Sequence, residues 1–402
     1  MSLKILVITN LYPPQELGGY GRCISDFVSG LLKLGHFVQI LSADAPYLHN
    51  HTCSTFGLHG EPISRILELK GSYKSGVSLI KNRSTCSHID FFNIDSLRNH
   101  LNCGWDAVLL GNIDLIGTEI LPFLLKYQIP ILHHIGFIDP PYPVTEFPFS
   151  PFYQILPASC AVRKSLVSAG FPVSSAPVIY PGARCDLFRP AYGNVSPSLL
   201  SAISTHNSGF SLGSFENPLK VGFAGLLMGS KGVHTIVLAL LLLFKNGIYF
   251  NVSFAGSEYQ DSYRSRLENL FVNAGLSDSY SFVGQLDRHQ LSTFWSHHHV
   301  GIFPSIYPEA FGISAVEIMA SGVVLVSSCV GGSAELFQPG LNGLPFTPDD
   351  PVSLANALMG LVRNPSFMFS LASSGSDRAF SSFSVDSSSA RIASLIYNFN
   401  IN

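Results

Sequence analysis

Apolar, β-branched runs alternate with helix-like stretches along most of this chain. Residues 4–9 (KILVIT) form a continuous run of the kind found in parallel strands buried on both faces. A turn-rich loop, NLYPPQELGGYGR, follows and holds Gly18, Gly19 and Gly21. Then come a helical pattern, ISDFVSGLLKLG, and a second strand pattern, FVQILSA, so the chain opens as a βαβ unit with a glycine-rich first loop. WDAVLL (105–110) and IPILH (129–133) predict further strands, the second running into His133 and His134. PASCAVRKSLVSAGFP (157–172) predicts a strand end, a helix and a proline stop, and VIYPGARCDLF (178–188) a strand into a glycine turn. Residues 190–218 are rich in Ser, Gly, Asn and Pro, nearly without charge, and read as a linker. From Lys220 the alternation resumes: VGFAGLL, a loop MGSKG, a helix VHTIVLALLLLF, then FNVSFAG, YRSRLENLFVNAGL, YSFVG, DRHQLSTFWSHHH, VGIFPS and VVLVSS. SLANALMGLVRNP and ARIASLIYNF close the chain as helices.

This alternation on both sides of a linker predicts two doubly wound α/β domains. We place them at 1–190 and 219–375, with the linker at 191–218 and a C-terminal helical segment at 376–402. The length of 402 residues suits two domains of ordinary size. Charged residues make up 12% and hydrophobic residues 47%, which fits buried parallel sheets and argues against disorder. A net charge of −3 gives no sign of a nucleic-acid partner. The seven cysteines are scattered without a CxxC, and the N-terminus lacks the apolar length of a signal peptide. We therefore expect reduced thiols and a cytoplasmic location. The apolar run at 236–244 is too short to span a membrane, which takes about 20 residues, and reads as a buried helix face. Lys70, Lys74, Lys81 and Arg83 cluster without an acid between them. They read as a solvated loop, with an acceptor-facing or membrane-surface patch as the alternative.

The chemistry concentrates in residues 304–322, PSIYPEAFGISAVEIMASG. Glu309 and Glu317 lie at the mouth of one predicted helix, and Gly312 lets a ligand approach the backbone where the helix starts. A helix N-terminus suits a phosphate, and carboxylates suit hydroxyls. Phosphate flanked by hydroxyls describes a nucleotide sugar. Lys231 lies between Gly229 and Gly232 in a strand-to-helix loop, the setting of a point-charge phosphate binder. GLLMGSKG is not a Walker A loop, because its lysine is followed by glycine and no hydroxyl. The first loop does not match G-x-G-x-x-G, which argues against a dinucleotide-binding dehydrogenase. His297, His298 and His299 follow one another, so on a helix they point about 100° apart and do not share a face for a metal. A histidine at the C-terminal end of a parallel strand lies where open α/β sheets bind ligands, and His133 and His134 both meet that description.

Together these motifs resemble the GT-B glycosyltransferases, and within them the retaining, nucleotide-sugar-dependent family with the E-x7-E signature (family four, glycosyl transferases group 1). The matching stretches are LYPPQELGGYGR, ASCAVRKSLVSAGFP, VIYPGARCDLFRP, GLLMGSKG, SFVGQL, IFPSIYPEAFGISAVEIMASG and SSCVGGSAELFQPGLNGLPFTPDD. The resemblance implies two Rossmann-like domains facing a central cleft, the second holding the donor, with the C-terminal helix crossing back to the first. It implies that Glu309 binds donor-sugar hydroxyls, that Glu317 binds the ribose, and that amides of Phe311, Gly312 and Ile313 hold sugar and phosphate. Lys231 would neutralise the diphosphate, Leu286 would meet the base through its backbone, and Gly19 would close over the phosphates. His134 would meet the donor sugar, with His133 as the alternative. The chain departs from the family at Leu226, where an arginine is usual, so Arg22 or another base compensates, or the activity is weak, or the donor differs.

The implied reaction is a retaining, metal-independent hexosyl transfer without cofactor, in which a phosphate oxygen takes the acceptor proton. The implied partners are a nucleotide-sugar donor and a glycan or lipid-linked acceptor, the latter with peripheral contact to the inner face of a membrane. The rival readings are a GT-B sugar-nucleotide epimerase and a catalytically weak sugar-nucleotide-binding subunit.

Overall fold

The computed structural model of the chain describes residues 2–15, 18–48, 50–74, 77–190 and 193–401. The chain divides into one unit of Met1–Pro181 with Val385–Asn402 and a second of Gly182–Ser384. In the first, the opening apolar run becomes β1 (Lys4–Ile8), followed by α1 (Gly18–Lys33) and β2 (Phe37–Ala43). Then come β3 (Ile63–Leu67), a small antiparallel hairpin of β4 (Gly71–Ser72) and β5 (Ser78–Leu79), and α2 (Arg83–Leu101). β6 (Ala107–Leu110), α3 (Ile120–Leu125), β7 (Ile131–Ile135), β8 (Tyr153–Pro157) and α4 (Cys160–Ser168) complete this part. The strand order β3-β2-β1-β6-β7-β8 is parallel throughout, and the side chains of β6 and β7 are all buried, as their unbroken apolar runs require.

The second unit repeats the plan. It runs α5 (Pro197–Asn207), β9 (Leu219–Ala224), α6 (Val233–Lys245), β10 (Phe250–Ala255), α7 (Tyr263–Asn273) and β11 (Tyr280–Gly284). α8 (Arg288–Ser296), β12 (Val300–Phe303), α9 (Ile313–Ala320), β13 (Val324–Ser327) and β14 (Leu344–Pro345) follow, then α10 (Pro351–Arg363) and α11 (Pro365–Ser382). Its parallel order is β11-β10-β9-β12-β13-β14. The apolar run in α6 is the buried helix face expected of it. The chain then returns to the first unit as α12 (Val385–Ile401), where the Ser389 hydroxyl donates to the Phe27 carbonyl on α1.

Several sequence expectations are corrected here. The units meet at Pro181/Gly182 and Ser384/Val385, not at 190 and 375. The segment taken as a linker contains α5, whose Leu199 and Ala202 lie in the core of the second unit. Its polar composition belongs to the helix's outer face and flanking turns. Residues 178–188 form no strand, since their only ladder contact is the isolated Ala183–Ser384 bridge. α1 begins at Gly18, so Gly19 and Arg22 lie within a helix rather than a loop. Lys70 is no solvated loop residue: it is mostly buried, 2.5 Å from Asp90 and 2.9 Å from Glu119.

Candidate functional site in the second unit

β9 and β12 are neighbours in the middle of the second sheet, and the chain winds outward from them in opposite directions. The loops leaving their C-terminal ends therefore flank the crevice where open α/β sheets bind ligands. These loops are residues 225–232 and 304–312, the two segments richest in candidate chemistry. Gly232 brings them together. It has φ +67°, and a Cβ there would lie 2.0 Å from the Pro304 carbonyl oxygen. The Ile306 amide donates to the Ser230 carbonyl across the same seam, at 2.8 Å.

This contact sets Lys231 Nζ 2.5 Å from Glu309 Oε1. The Ser305 hydroxyl donates to the same oxygen, so Oε2 carries no hydrogen bond among the described residues. The Glu309 backbone is fixed as well, its amide donating to Val330 and its carbonyl accepting from Gly332. The carboxylate is thus aimed, with one oxygen still able to accept from a ligand hydroxyl. An ammonium has three donors, so Lys231 can hold Glu309 and still reach an anion.

Gly312 is the N-cap of α9, with φ +107° and no side chain capping the helix. The amides at this helix start fall next to the Glu309 loop. Phe311 is buried against Phe383, and Ile313 is half-buried at the first helical position. Glu317 lies one turn into α9 and is only 7% exposed. A solvated surface acid is thereby ruled out, because burying a carboxylate is costly unless it is matched by partners. Leu226 is 40% exposed in the turn after β9. Leu286 is half-buried between β11 and α8. Ser305 escaped the sequence reading, as did Gln260, whose Oε1 accepts from the Gly229 amide. A lone serine or glutamine carries no spacing signal.

The remaining predicted residues belong to the first unit. Successive strand residues point to opposite faces, so the adjacent pair on β7 separates. His134 meets Phe27 of α1 edge-on at 5.0 Å, and its Nε2–H donates to the Ile179 carbonyl. His133 lies on the other face, 2.6 Å from the Tyr153 hydroxyl. Burial pushes His133 down to about 3 and His134 to about 4, so both rings are neutral. His134 thus shares its face with α1, which carries Gly19. At the C-terminal edge of the same sheet Asn10 donates to Asp114 and to the Tyr73 hydroxyl, a polar cluster not foreseen from sequence. His297, His298 and His299 diverge as expected. His297 and His298 bond the Thr293 and Phe294 carbonyls, and His299 Nδ1 accepts from the Lys220 amide.

Residues 205–377 match the family described as glycosyl transferases group 1. Over 363 residues the chain is 22% identical to an uncharacterised glycosyltransferase of Methanocaldococcus jannaschii, covering 88% of this chain and 87% of that one. Among solved structures it is similar to a glycosyltransferase from Rickettsia africae (TM-score 0.77, 17% identity, covering 100% and 99% of the two chains). It is also similar to Anabaena HepE in complex with UDP-glucose (TM-score 0.70, 18% identity, covering 98% and 100%).

Proposed function

On the premise that this chain carries a glycosyl transferases group 1 domain within a GT-B fold, we propose that it transfers a sugar from a nucleotide-diphosphate sugar to a hydroxyl acceptor. One observation carries this reading: an aimed carboxylate, an ammonium and a glycine-capped helix start converge at the switch point of the second sheet. The similarity to a protein solved with UDP-glucose supports a nucleotide sugar as donor.

In this reading the helix start of α9 and Lys231 hold the diphosphate, Glu309 Oε2 accepts from a sugar hydroxyl, and Glu317 accepts from the ribose. The bond between the anomeric carbon and the diphosphate oxygen breaks, and its electron pair leaves with the diphosphate. Lys231 and the amides of Gly312 and Ile313 stabilise that growing charge, which is where preorganised donors act most strongly. The acceptor oxygen bonds to the anomeric carbon from the leaving-group side, with retention, and its proton passes to a phosphate oxygen. No metal enters the scheme, so transfer is expected to survive EDTA. Leu286 completes the proposed donor contacts within the second unit.

The test is a thermal-shift and isothermal-titration screen with UDP-, GDP- and ADP-sugars on wild type and Glu317→Ala. A ligand at 100 times its dissociation constant stabilises by about 2.7 kcal/mol, a readable shift. Binding of one nucleotide class that is lost in the variant is expected. Absence of binding by every class sinks the proposal. The exposed Leu226 favours one second reading, a donor-binding subunit with little turnover. Tight donor binding with neither transfer nor hydrolysis selects it, and gain of turnover in Leu226→Arg strengthens it.

A further inference from the structure

The turn that carries Lys231 is held from outside by contacts that the proposed chemistry does not use. α6 starts directly after this turn, with Gly232 at its N-cap and so no side chain to cap the helix. The Tyr263 hydroxyl at the start of α7 does this instead, accepting from the His234 amide at 3.2 Å. The hydroxyl's own proton turns to His234 Nδ1, 3.0 Å away, which leaves the ring hydrogen on Nε2. Nε2 donates to Asp349 Oδ1 at 2.8 Å, and the buried Thr235 hydroxyl donates to the same oxygen at 3.2 Å. On the other flank of Lys231 the Gly229 amide donates to Gln260 Oε1 at 2.8 Å. The Tyr263 amide donates in turn to the Gln260 carbonyl, so one segment after β10 grips the Lys231 turn at both ends.

Backbone strain gathers at the same place. Among the described residues four that are not glycine have positive φ, and two of them are Asp349 at +57° and Ser262 at +59°, the neighbour of Tyr263. Glycine would adopt the conformation of Asp349 without that cost. Strain of this kind persists where the strained segment has a task. Stability is not that task, because the Asp349 side chain is 57% exposed and a partly solvated pair of this sort contributes little. We propose that Tyr263, His234 and Asp349 form a clasp that positions Lys231. The clasp fixes the first turn of α6, so that the ammonium three residues before His234 stays directed at its anion. The three are positioning residues, each acting through Lys231. The inference rests on the reading of Lys231 as the counter-charge of the diphosphate, and adds the groups that hold it there.

The experiment compares Asp349→Gly with Asp349→Asn, which keeps an acceptor oxygen and tolerates a left-handed backbone. Asp349→Gly should melt at or above the wild-type temperature and still lose roughly tenfold or more in kcat, with KM within about twofold. Asp349→Asn should stay near wild type. In a Lys231→Ala background Asp349→Gly should cause no further loss of kcat, the coupling expected when one residue acts only through another. Labelling of the full chain with acetic anhydride, read by mass spectrometry, gives an answer without turnover. Asp349→Gly should speed labelling of Lys231 several-fold and leave exposed Lys245, at the far end of α6, as it was. Unchanged labelling of Lys231, an unchanged kcat in Asp349→Gly, or an equal loss in the Lys231→Ala background overturns the proposal. Faster labelling of Lys231 in a protein that binds no nucleotide sugar overturns the donor reading instead and leaves the clasp standing.

Discussion

Single residues decide whether the proposed donor site exists at all, and Gly232 is the sharpest case. Its positive φ and the Pro304 carbonyl 2.0 Å from a built Cβ leave no room for a side chain. Gly232→Ala should therefore push the β9 and β12 loops apart, separate Lys231 from Glu309, and lose donor affinity along with some stability. Gly229→Ala is the control, because the nearest atom to its built Cβ is the Gln260 Oε1 at an ordinary 3.5 Å. Titration calorimetry should find the control near wild type, and equal loss in both would remove the close-approach explanation. Lys231→Ala tests the chemistry instead. Loss of one preorganised donor to developing charge typically costs about 100-fold in rate, so kcat should fall far more than KM rises. Its ion pair with Glu309 is part-exposed and contributes little to stability, so the melting temperature should hardly move.

At the scale of elements, α2 and α5 show what composition hides. β3 is an edge strand, and the chain just beyond it is closed by a side chain rather than by another strand. The buried Asn93 on α2 accepts from the Glu68 amide and donates to the Glu68 carbonyl, at 2.8 and 2.9 Å. Asn93→Leu should leave both backbone groups unpaired, at about 1–3 kcal/mol for each. Hydrogen exchange at Glu68 should accelerate, and a protected Glu68 amide in the variant would refute this role. α5 behaves like core despite its polar sequence. Leu199→Ala should cost about 2–5 kcal/mol in denaturant unfolding, where a true linker would show nothing.

Across the whole molecule, buried histidines make stability depend on pH. Burial holds His133 and His299 at about 3, and His134 and His298 at about 4, against an ordinary 6.5. The folded values lie below the unfolded one, so the unfolded chain takes up protons first. Their contribution is complete above pH 6.5 and is lost as pH falls from there toward about 3–4. Each group contributes on the order of 1 kcal/mol per pH unit within that window. Urea midpoints should therefore fall steeply from about pH 6.5 to about pH 4, and a flat profile would contradict the assignment of four neutral core histidines.

The sequence by itself determined the two doubly wound sheets, because unbroken β-branched runs have no stable place except a strand covered on both faces. It also singled out Lys231, Glu309, Gly312 and Glu317 as candidate chemistry, because spacing along a loop and a helix is local. Tertiary structure decided what depends on contacts between distant segments. The Gly232–Pro304 approach pairs Lys231 with Glu309 across 78 positions, and Ser305 gained its role only through that pairing. The faces of β7 separated His133 from His134, which adjacency in sequence had left open. The return of the chain at Val385 and the burial of α5 moved the unit boundaries, since burial is a property of the neighbours a segment meets and not of its own composition.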